Sequence, residues 1–384
     1  METLLTDPQK TRYQEFKEFV ATNVQPFVEQ WDRDQRHPAS IIEQLGQSGY
    51  LSSTISPEYG GKGWDFVTYG LLNEAFGRAS SALTDLLTVQ TMVAMTLLKW
   101  GTDKQRGQWL TPLARGEVIA AFALTEPGAG SAIESLKTEF RHTNNGDTLI
   151  LNGQKKWISY GQVAGLFLVF GKLKERPVAC LLERGIAGLE IEPIQEMLGF
   201  KSAGLAKINF HDVEVPSSSI VGKPGFALSH LAPVALQYGR LSTACSAVGL
   251  LRACFEESVL YAATRQIGER TVGKIDMIRT FIAKMGADLG AAQLLCYAAC
   301  RAEDEHLPEA FTKILVAKYY TSRAVVRAAS DAVQIHGASG CQESSPVARY
   351  YRDAKLMEIL EGTTQIHEQL LSGLFVDQAA QLKG

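Results

Sequence analysis

The spacing of apolar residues switches twice along this chain, from a helical period to a strand period near Glu117 and back to a helical one after Gly225. That double switch limits the fold to helical tracts flanking a β region. In the first tract, Asp7-Pro8 predicts a helix start with Asp as the cap and Pro in the first turn, and Phe16, Phe19, Val20 and Val24 form its apolar stripe. His37-Pro38 begins another helix with Ile41, Ile42 and Leu45 facing inward, and Leu71 to Trp100 is a further helical stretch interrupted near Ser80. The run P-E-Y-G-G-K-G at Pro57 to Gly63 is glycine-rich, but no Lys-Ser/Thr follows it and no strand precedes it. It reads as a connector, not a phosphate cradle.

After Glu117, V-I-A-A-F-A-L reads as a buried strand and Asn145-Gly146 as a hairpin turn before T-L-I-L, with a second Asn-Gly at Asn152-Gly153. G-L-F-L-V-F-G, P-V-A-C-L-L and K-I-N-F-H-D-V-E-V-P continue the pattern to about Pro216. Three long Ala- and Leu-rich stretches, roughly 225–264, 273–303 and 308–336, then predict a helical bundle. No internal repeat or low-complexity segment interrupts them.

A chain of 384 residues with 46% hydrophobic residues and 13 prolines suits an ordinary globular protein of two or three domains. A net charge of −3 gives no reason to expect nucleic acid or an anionic membrane surface as a partner. No run is expected to span a bilayer, the N-terminus lacks a basic region followed by an apolar one, and a cytoplasmic location is the default expectation. The six cysteines form no C-x-x-C pair, and five read as buried free thiols. Cys296 and Cys300 are four apart on a predicted helix, but no His lies near them in sequence, so no metal site is expected.

The run Tyr350 to Leu371, Y-Y-R-D-A-K-L-M-E-I-L-E-G-T-T-Q-I-H-E-Q-L-L, carries the chemistry. Its first half has helical spacing, with Leu356, Ile359 and Leu360 on one face, and stops at Glu361-Gly362, where Gly permits a left-handed turn. Thr363 and Thr364 can cap a second helix bearing Ile366, Leu370 and Leu371. From the residues alone, Glu361 is either an exposed carboxylate beside a hinge or a buried one at a helix junction. R-D-A-K-x-x-x-I-x-E-G-T-x-Q resembles the closing motif of the acyl-CoA dehydrogenase family. The resemblance implies that Glu361 is the base that removes the α-proton of an acyl thioester while FAD takes hydride from the β-carbon. That proton is too weakly acidic for a carboxylate in water, so the base must be buried, which raises a carboxyl pKa by up to ~3–5 units.

Further motifs recur in the family's order. A-L-T-E-P-G-A-G-S at Ala123 to Ser131 is by itself an ordinary strand-end turn, but it is similar to the family signature that contacts the flavin ring and pyrophosphate. Carried over, the contacts are Leu124, Thr125, Gly130 and Ser131, and Ala132 replaces the family's Asp, which leaves the bracing of the loop open. Lys156-Trp157-Ile158-Ser159 resembles the segment whose Trp lies against the flavin and whose hydroxyl bonds it, and a Trp packed in a β core is the alternative. Arg265, Gln334 and Gly337 match pieces that reach the FAD of a neighbouring subunit, although the usual aromatic after the Arg is missing and Asp276 stands where a Gln is typical. Arg265 reads otherwise as a solvated helix-end charge. Thr363 and Gln365 match FAD-bonding positions and can equally cap a helix, while Arg240 corresponds to an arginine at the pocket floor. Some family branches carry their base at the position of Gly239, and Gly cannot serve, so Glu361 has no evident rival.

The resemblance covers nearly the full length and implies an α+β acyl-CoA dehydrogenase fold, with a helical domain at 1–117, a β-barrel-like middle domain at 118–222 and a four-helix bundle carrying the catalytic Glu at 223–384. It also implies a homodimer or homotetramer. Y-G-R-L-S-x-A-C-S-A-V-G-L-L-R-A-C and Y-R-D-A-K-L-M-E-I-L-E-G-T look closest to the acyl-carrier-protein dehydrogenases of polyketide extender-unit pathways. The expectation is therefore an FAD-dependent dehydrogenase of a small polar acyl group on an acyl carrier protein, passing electrons to an electron-transfer flavoprotein or O2. A short-chain acyl-CoA dehydrogenase, or a flavin oxidase or oxygenase acting on a CoA thioester, is the alternative. A catalytically idle scaffold that binds a carrier protein is the remaining one.

Overall fold

The computed structural model describes residues 2–143 and 146–378. Helices α1 (Asp7–Asn23), α2 (Val28–Asp34), α3 (Ala39–Ser48), α4 (Phe66–Ala79), α5 (Ser81–Trp100) and α6 (Asp103–Arg115) come first. The cap of α1 is Thr6, not Asp7: the Thr6 hydroxyl accepts from Gln9 N–H while Gln9 Oε1 accepts from Thr6 N–H. This reciprocal pair satisfies two orphan donors, which Asp7 alone would not do, and Asp7 lies inside the first turn. Phe16, Val20 and Val24 are buried as expected. The break at Ser80 is a cap in its own right, its hydroxyl accepting from Leu83 N–H to start α5. Contrary to the expectation from sequence, α5 is by length and composition apolar enough to cross a bilayer, and 89% of its most apolar 18-residue stretch is buried inside this protein.

The β region contains β1 (Ala120–Ala123), β2 (Glu139–His142), β3 (Thr148–Ile158), β4 (Leu166–Leu173), β5 (Arg176–Glu183), β6 (Leu189–Pro193), β7 (Ala206–Pro216) and β8 (Ile220–Val221). They form one sheet in the order β6-β7-β3-β2-β4-β5-β8, with β1 parallel to β4. The sheet curls around an apolar core that joins Leu149, Leu151, Phe210 and Val213 of β3 and β7 to Phe167, Val169, Val178 and Cys180 of β4 and β5. The alternate residues Leu166, Leu168 and Phe170 face a second core shared with α5 and α6. Strand β4 is thus buried on both faces, which explains its unbroken apolar run.

Two details differ from the sequence reading. Asn152-Gly153 is no turn but a bulge within β3, with Gly153 at φ 140°. A Cβ there would come within 2.7 Å of Thr138 Cα, so the strand passes too close to its neighbour for any other residue. Strands β2 and β6 lacked a clear alternation and were not foreseen. Asn145 of the expected hairpin lies outside the described residues. Its neighbour Gly146 has φ 77°, and β2 pairs antiparallel with β3.

A π-helical turn at Ala227–Leu231 leads into α7 (Ala232–Thr264). A two-stranded ribbon, β9 (Gln266–Ile267) and β10 (Arg270–Thr271), precedes α8 (Asp276–Asp304), α9 (Ala310–His336), α10 (Pro346–Met357) and α11 (Thr364–Gln378). Helices α7 to α10 pack together and α11 lies on α9. Their apolar core is continuous with that of α1, α3, α4 and α5, so the two helical tracts share one interior. Five cysteines are buried in these cores, and Cys341 is exposed.

Candidate active site

The last turn of α10 sets the site. The helix ends at Met357, four residues before the predicted stop, and Ile359 is half exposed instead of sharing the inward face with Leu356 and Leu360. Leaving the helix early lets the chain reverse: Glu361 takes φ 56° and Gly362 φ 99°, and Thr364 N–H donates back to Glu358 O at 2.9 Å. A left-handed Glu costs free energy that the surroundings must offset. Arg240 Nε donates to Glu361 O at 3.2 Å and Lys318 Nζ to Gly362 O at 2.8 Å, so two cations from α7 and α9 clamp the turn. Thr363 Oγ1 accepts from Ile366 N–H and starts α11, as expected.

Glu361 as a whole is half-buried, but its Oε2 is sealed from solvent and has no hydrogen-bond partner among the described residues. Burial, reinforced by the nearby Asp85 carboxyl, pushes its pKa up to about 7, against the pull of Arg240 and Lys318. The Glu361 N–H has no acceptor among the described residues, leaving it available to a carbonyl oxygen. Gly239 supplies the room, since a Cβ there would lie 2.2 Å from Glu361 Oε2 and 3.0 Å from Met92 Sδ.

The strand side of the site is fixed by a buried pair. Lys155 Nζ donates to Glu126 Oε1 at 2.7 Å and to Leu124 O at 3.0 Å, and Lys156 N–H donates to Thr125 O at 2.9 Å. Glu126 also accepts from the N–H groups of Lys137 and Thr138. Burial alone would raise its pKa, yet the Lys155 charge and these donors hold it below the usual range. The loop is therefore braced by Glu126, which settles the question raised by Ala132. Gly128, Gly130 and Ser131 keep N–H groups without acceptors among the described residues, and Gly130 faces open space.

A second bulge in β3 puts Trp157 at φ 63° and turns its indole outward, 45% exposed, with Lys156 Nζ 4.4 Å from the ring centroid. The indole is thus not packed in the β core. Ser159 turns the other way, toward Asp85 of α5, whose carboxyl pKa its hydroxyl lowers. An outward indole, loop N–H groups and a Thr125 hydroxyl that have no partners among the described residues suit a planar ring carrying a diphosphate, so these residues fit FAD.

The structure divides the predicted residues into two sets. Leu124, Thr125, Gly130, Ser131, Trp157 and Ser159 belong to the strand side, and Gly239, Arg240, Glu361, Thr363 and Gln365 to the helical side. Arg265, Gln334 and Gly337 are exposed at the other end of the bundle, where Tyr261 and His336 pack ring to ring at 4.1 Å and join α7 to α9. Arg240 and Arg265 are separated by 25 residues of one helix, roughly 37 Å. Asp85, Met92, Glu126, Lys155 and Lys318 were not foreseen as part of the site. Lys318 could have been found as a cation on the apolar stripe of α9 between Ile314 and Val325, and Asp85 as the only charge between Ser81 and Leu98.

This fold and site define a flavoprotein oxidoreductase acting on CH–CH bonds with FAD. The chain belongs to the acyl-CoA dehydrogenase family: the family's N-terminal, middle and C-terminal domain profiles match residues 6–117, 121–213 and 230–372. It is 31% identical to the glutaryl-CoA dehydrogenase of Desulfococcus multivorans over 93% of this chain and 94% of that one. Among solved structures it resembles butyryl-CoA dehydrogenase from Megasphaera elsdenii with TM-score 0.93 and 28% identity, covering 97% of this chain and 99% of the other. It also resembles FkbI, described as serving biosynthesis of the methoxymalonyl extender unit of the FK520 polyketide, with TM-score 0.85, 27% identity and coverage of 95% and 99%.

Proposed function

We propose that this enzyme oxidises a small acyl thioester carried on an acyl carrier protein in specialised metabolism, with Glu361 as the base. The sealed, unpartnered Oε2 of Glu361 carries the chemical part of the reading. A carboxylate in that position takes the α-proton, and its pKa near 7 matches the proton's destination to working pH. The Glu361 N–H polarises the thioester carbonyl as negative charge builds on it. Arg240 and Lys318 hold the turn so that neither group has to reorganise. FAD, when bound against Trp157, Thr125 and the Gly130-Ser131 loop, supplies the hydride acceptor. Electrons then leave to an electron-transfer flavoprotein or O2.

The likeness to FkbI supports the carrier-protein reading, and the likeness to glutaryl- and butyryl-CoA dehydrogenases favours a CoA thioester instead. The exposed position of Arg265, Gln334 and Gly337 at the far end of the bundle supports a dimer or tetramer in which each chain completes its neighbour's FAD site. Anaerobic bleaching of the flavin by the same acyl group on a carrier protein and on CoA separates the two carriers. Faster bleaching by the carrier-protein thioester supports the proposal, and equal or slower bleaching refutes it.

A further inference from the structure

Beside the base, Ser81, Thr84, Asp85 and Thr88 of α5, Thr243 and Ser246 of α7, and Phe200, Met357 and Leu360 enclose a small cavity. It has room for about one water-sized group. Its hydroxyls are mostly spent on each other: Thr84 with Ser246 and, one turn further on, Thr88 with Ser242, each at 2.7 Å. Two polar groups in the wall are not so satisfied. Ser81 Oγ is fully buried with no partner among the described residues. Asp85, 7% exposed, has the Ser159 hydroxyl as the neighbouring donor that lowers its pKa, and no Lys, Arg or His among the described residues pairs with it.

A carboxyl group has about four acceptor sites, and one neutral donor leaves most of them empty. A buried acid without a counter-charge is costly, which is why burial lifts the Asp85 pKa to about 6 despite Ser159. It also disfavours the anion of Glu361, so it works against the base it adjoins. Such an acid is not explained by holding the fold together. A ligand that brings a donor into the cavity removes the deficit.

From the cavity and its unmatched acceptors we infer that Asp85 selects a short acyl group bearing a hydroxyl or amine at its distal end, and disfavours both a purely aliphatic tail and a carboxylate-tipped one. This rests on the dehydrogenase reading above and adds the class of acyl group. The donor tip enters the space beside Ser81, where Asp85 accepts its hydrogen and Ser81 Oγ is available to it as well. An aliphatic tail leaves Asp85 as unsatisfied as before, and a carboxylate meets two acids, Asp85 and Glu361. The oxidation itself would be unchanged: Glu361 takes the α C–H proton, bound FAD would be the acceptor of the β hydride, an α,β double bond would result and the donor group would stay intact.

The test uses the FAD-loaded enzyme and phosphopantetheine thioesters, the arm common to CoA and carrier protein, of butyrate, 4-hydroxybutyrate, 4-aminobutyrate and glutarate. Anaerobic flavin reduction should favour the hydroxy- or amino-tipped chain over butyryl by tenfold or more, with glutaryl slowest. Asp85→Val should erase that preference by raising butyryl relative to the donor-tipped chain. Asp85→Asn, which keeps the shape and one acceptor, should retain the preference for hydroxyl and lose any for amine. Dissociation constants of thioether analogues of the four chains, which cannot be oxidised, should follow the same order. A parent enzyme that favours butyryl or glutaryl, or an Asp85→Val enzyme that slows all chains equally with unchanged ratios, overturns the inference. Failure of every thioester to bleach the flavin overturns the dehydrogenase reading instead.

Discussion

Gly239 and Glu361 occupy one space from two sides: the carboxylate Oε2 reaches to 2.2 Å of where a Cβ on residue 239 would be. The contact is between a side-chain end and a helix backbone, so the side chain must yield. Gly239→Ala should displace the base by about 1 Å and slow flavin reduction by substrate roughly 10²-fold, while flavin content stays that of the parent. Stopped-flow reduction under anaerobic conditions reads the change. An Ala variant as fast as the parent would mean that the carboxylate works from another position.

Removal of the charge itself has two separable results. Glu361→Gln should retain FAD and lose nearly all turnover. It should also change stability with a definite sign. Glu361 keeps its proton to about pH 7 when folded but only to about 4.5 when unfolded. Over that interval the folded chain binds more protons, so this group makes stability fall as pH rises from 4.5 through 7. The Gln variant should therefore be more stable than the parent at pH 8, by on the order of 2 kcal/mol, and little different at pH 5. Denaturant unfolding at the two pH values checks it.

Arg240 lowers the Glu361 pKa that burial raises. In Arg240→Met that pull is gone, and the rising limb of kcat/KM against pH, which reports deprotonation of the base, should move to higher pH. The variant should lose more activity at pH 6.5 than at pH 8.5. A uniform loss at all pH values would assign Arg240 to holding the turn alone.

The Lys155–Glu126 pair is buried at both ends, with side chains 0% and 6% exposed. Glu126→Gln strands a buried ammonium and should lower stability by about 3–5 kcal/mol, as measured by urea unfolding. Adding Lys155→Met removes the stranded charge and should recover a large part of the loss. If it recovers nothing, the backbone donors of Lys137 and Thr138 are what the Glu126 carboxylate serves.

The division into helical, β and helical tracts was legible because burial repeats every 3.6 residues in one and every two in the other. Phe16 and Val20, or Leu149 and Leu151 with half-buried Ile150 between them, show it directly. The caps were harder. Asp7 and Thr6 are both good capping residues, and only the reciprocal bond with Gln9 decides between them. Asn152-Gly153 reads as a turn because its backbone preference is the same in a bulge, and it is the closeness of Thr138 that makes it one. At the site, Glu361, Trp157 and the loop after Leu124 could be named from motifs. Lys318 and Asp85 stand out in sequence only as charges within apolar helical runs, and their roles come from residues dozens or hundreds of positions away, which periodicity cannot report.

Asp85 and Met92 come from the first helical tract, Trp157 and Ser159 from the sheet, and Arg240, Lys318 and Glu361 from the second helical tract. No third of the chain owns a workable fraction of the chemistry. A β region exchanged on its own would set a different residue against position 85, so the three tracts have to match one another at this one place.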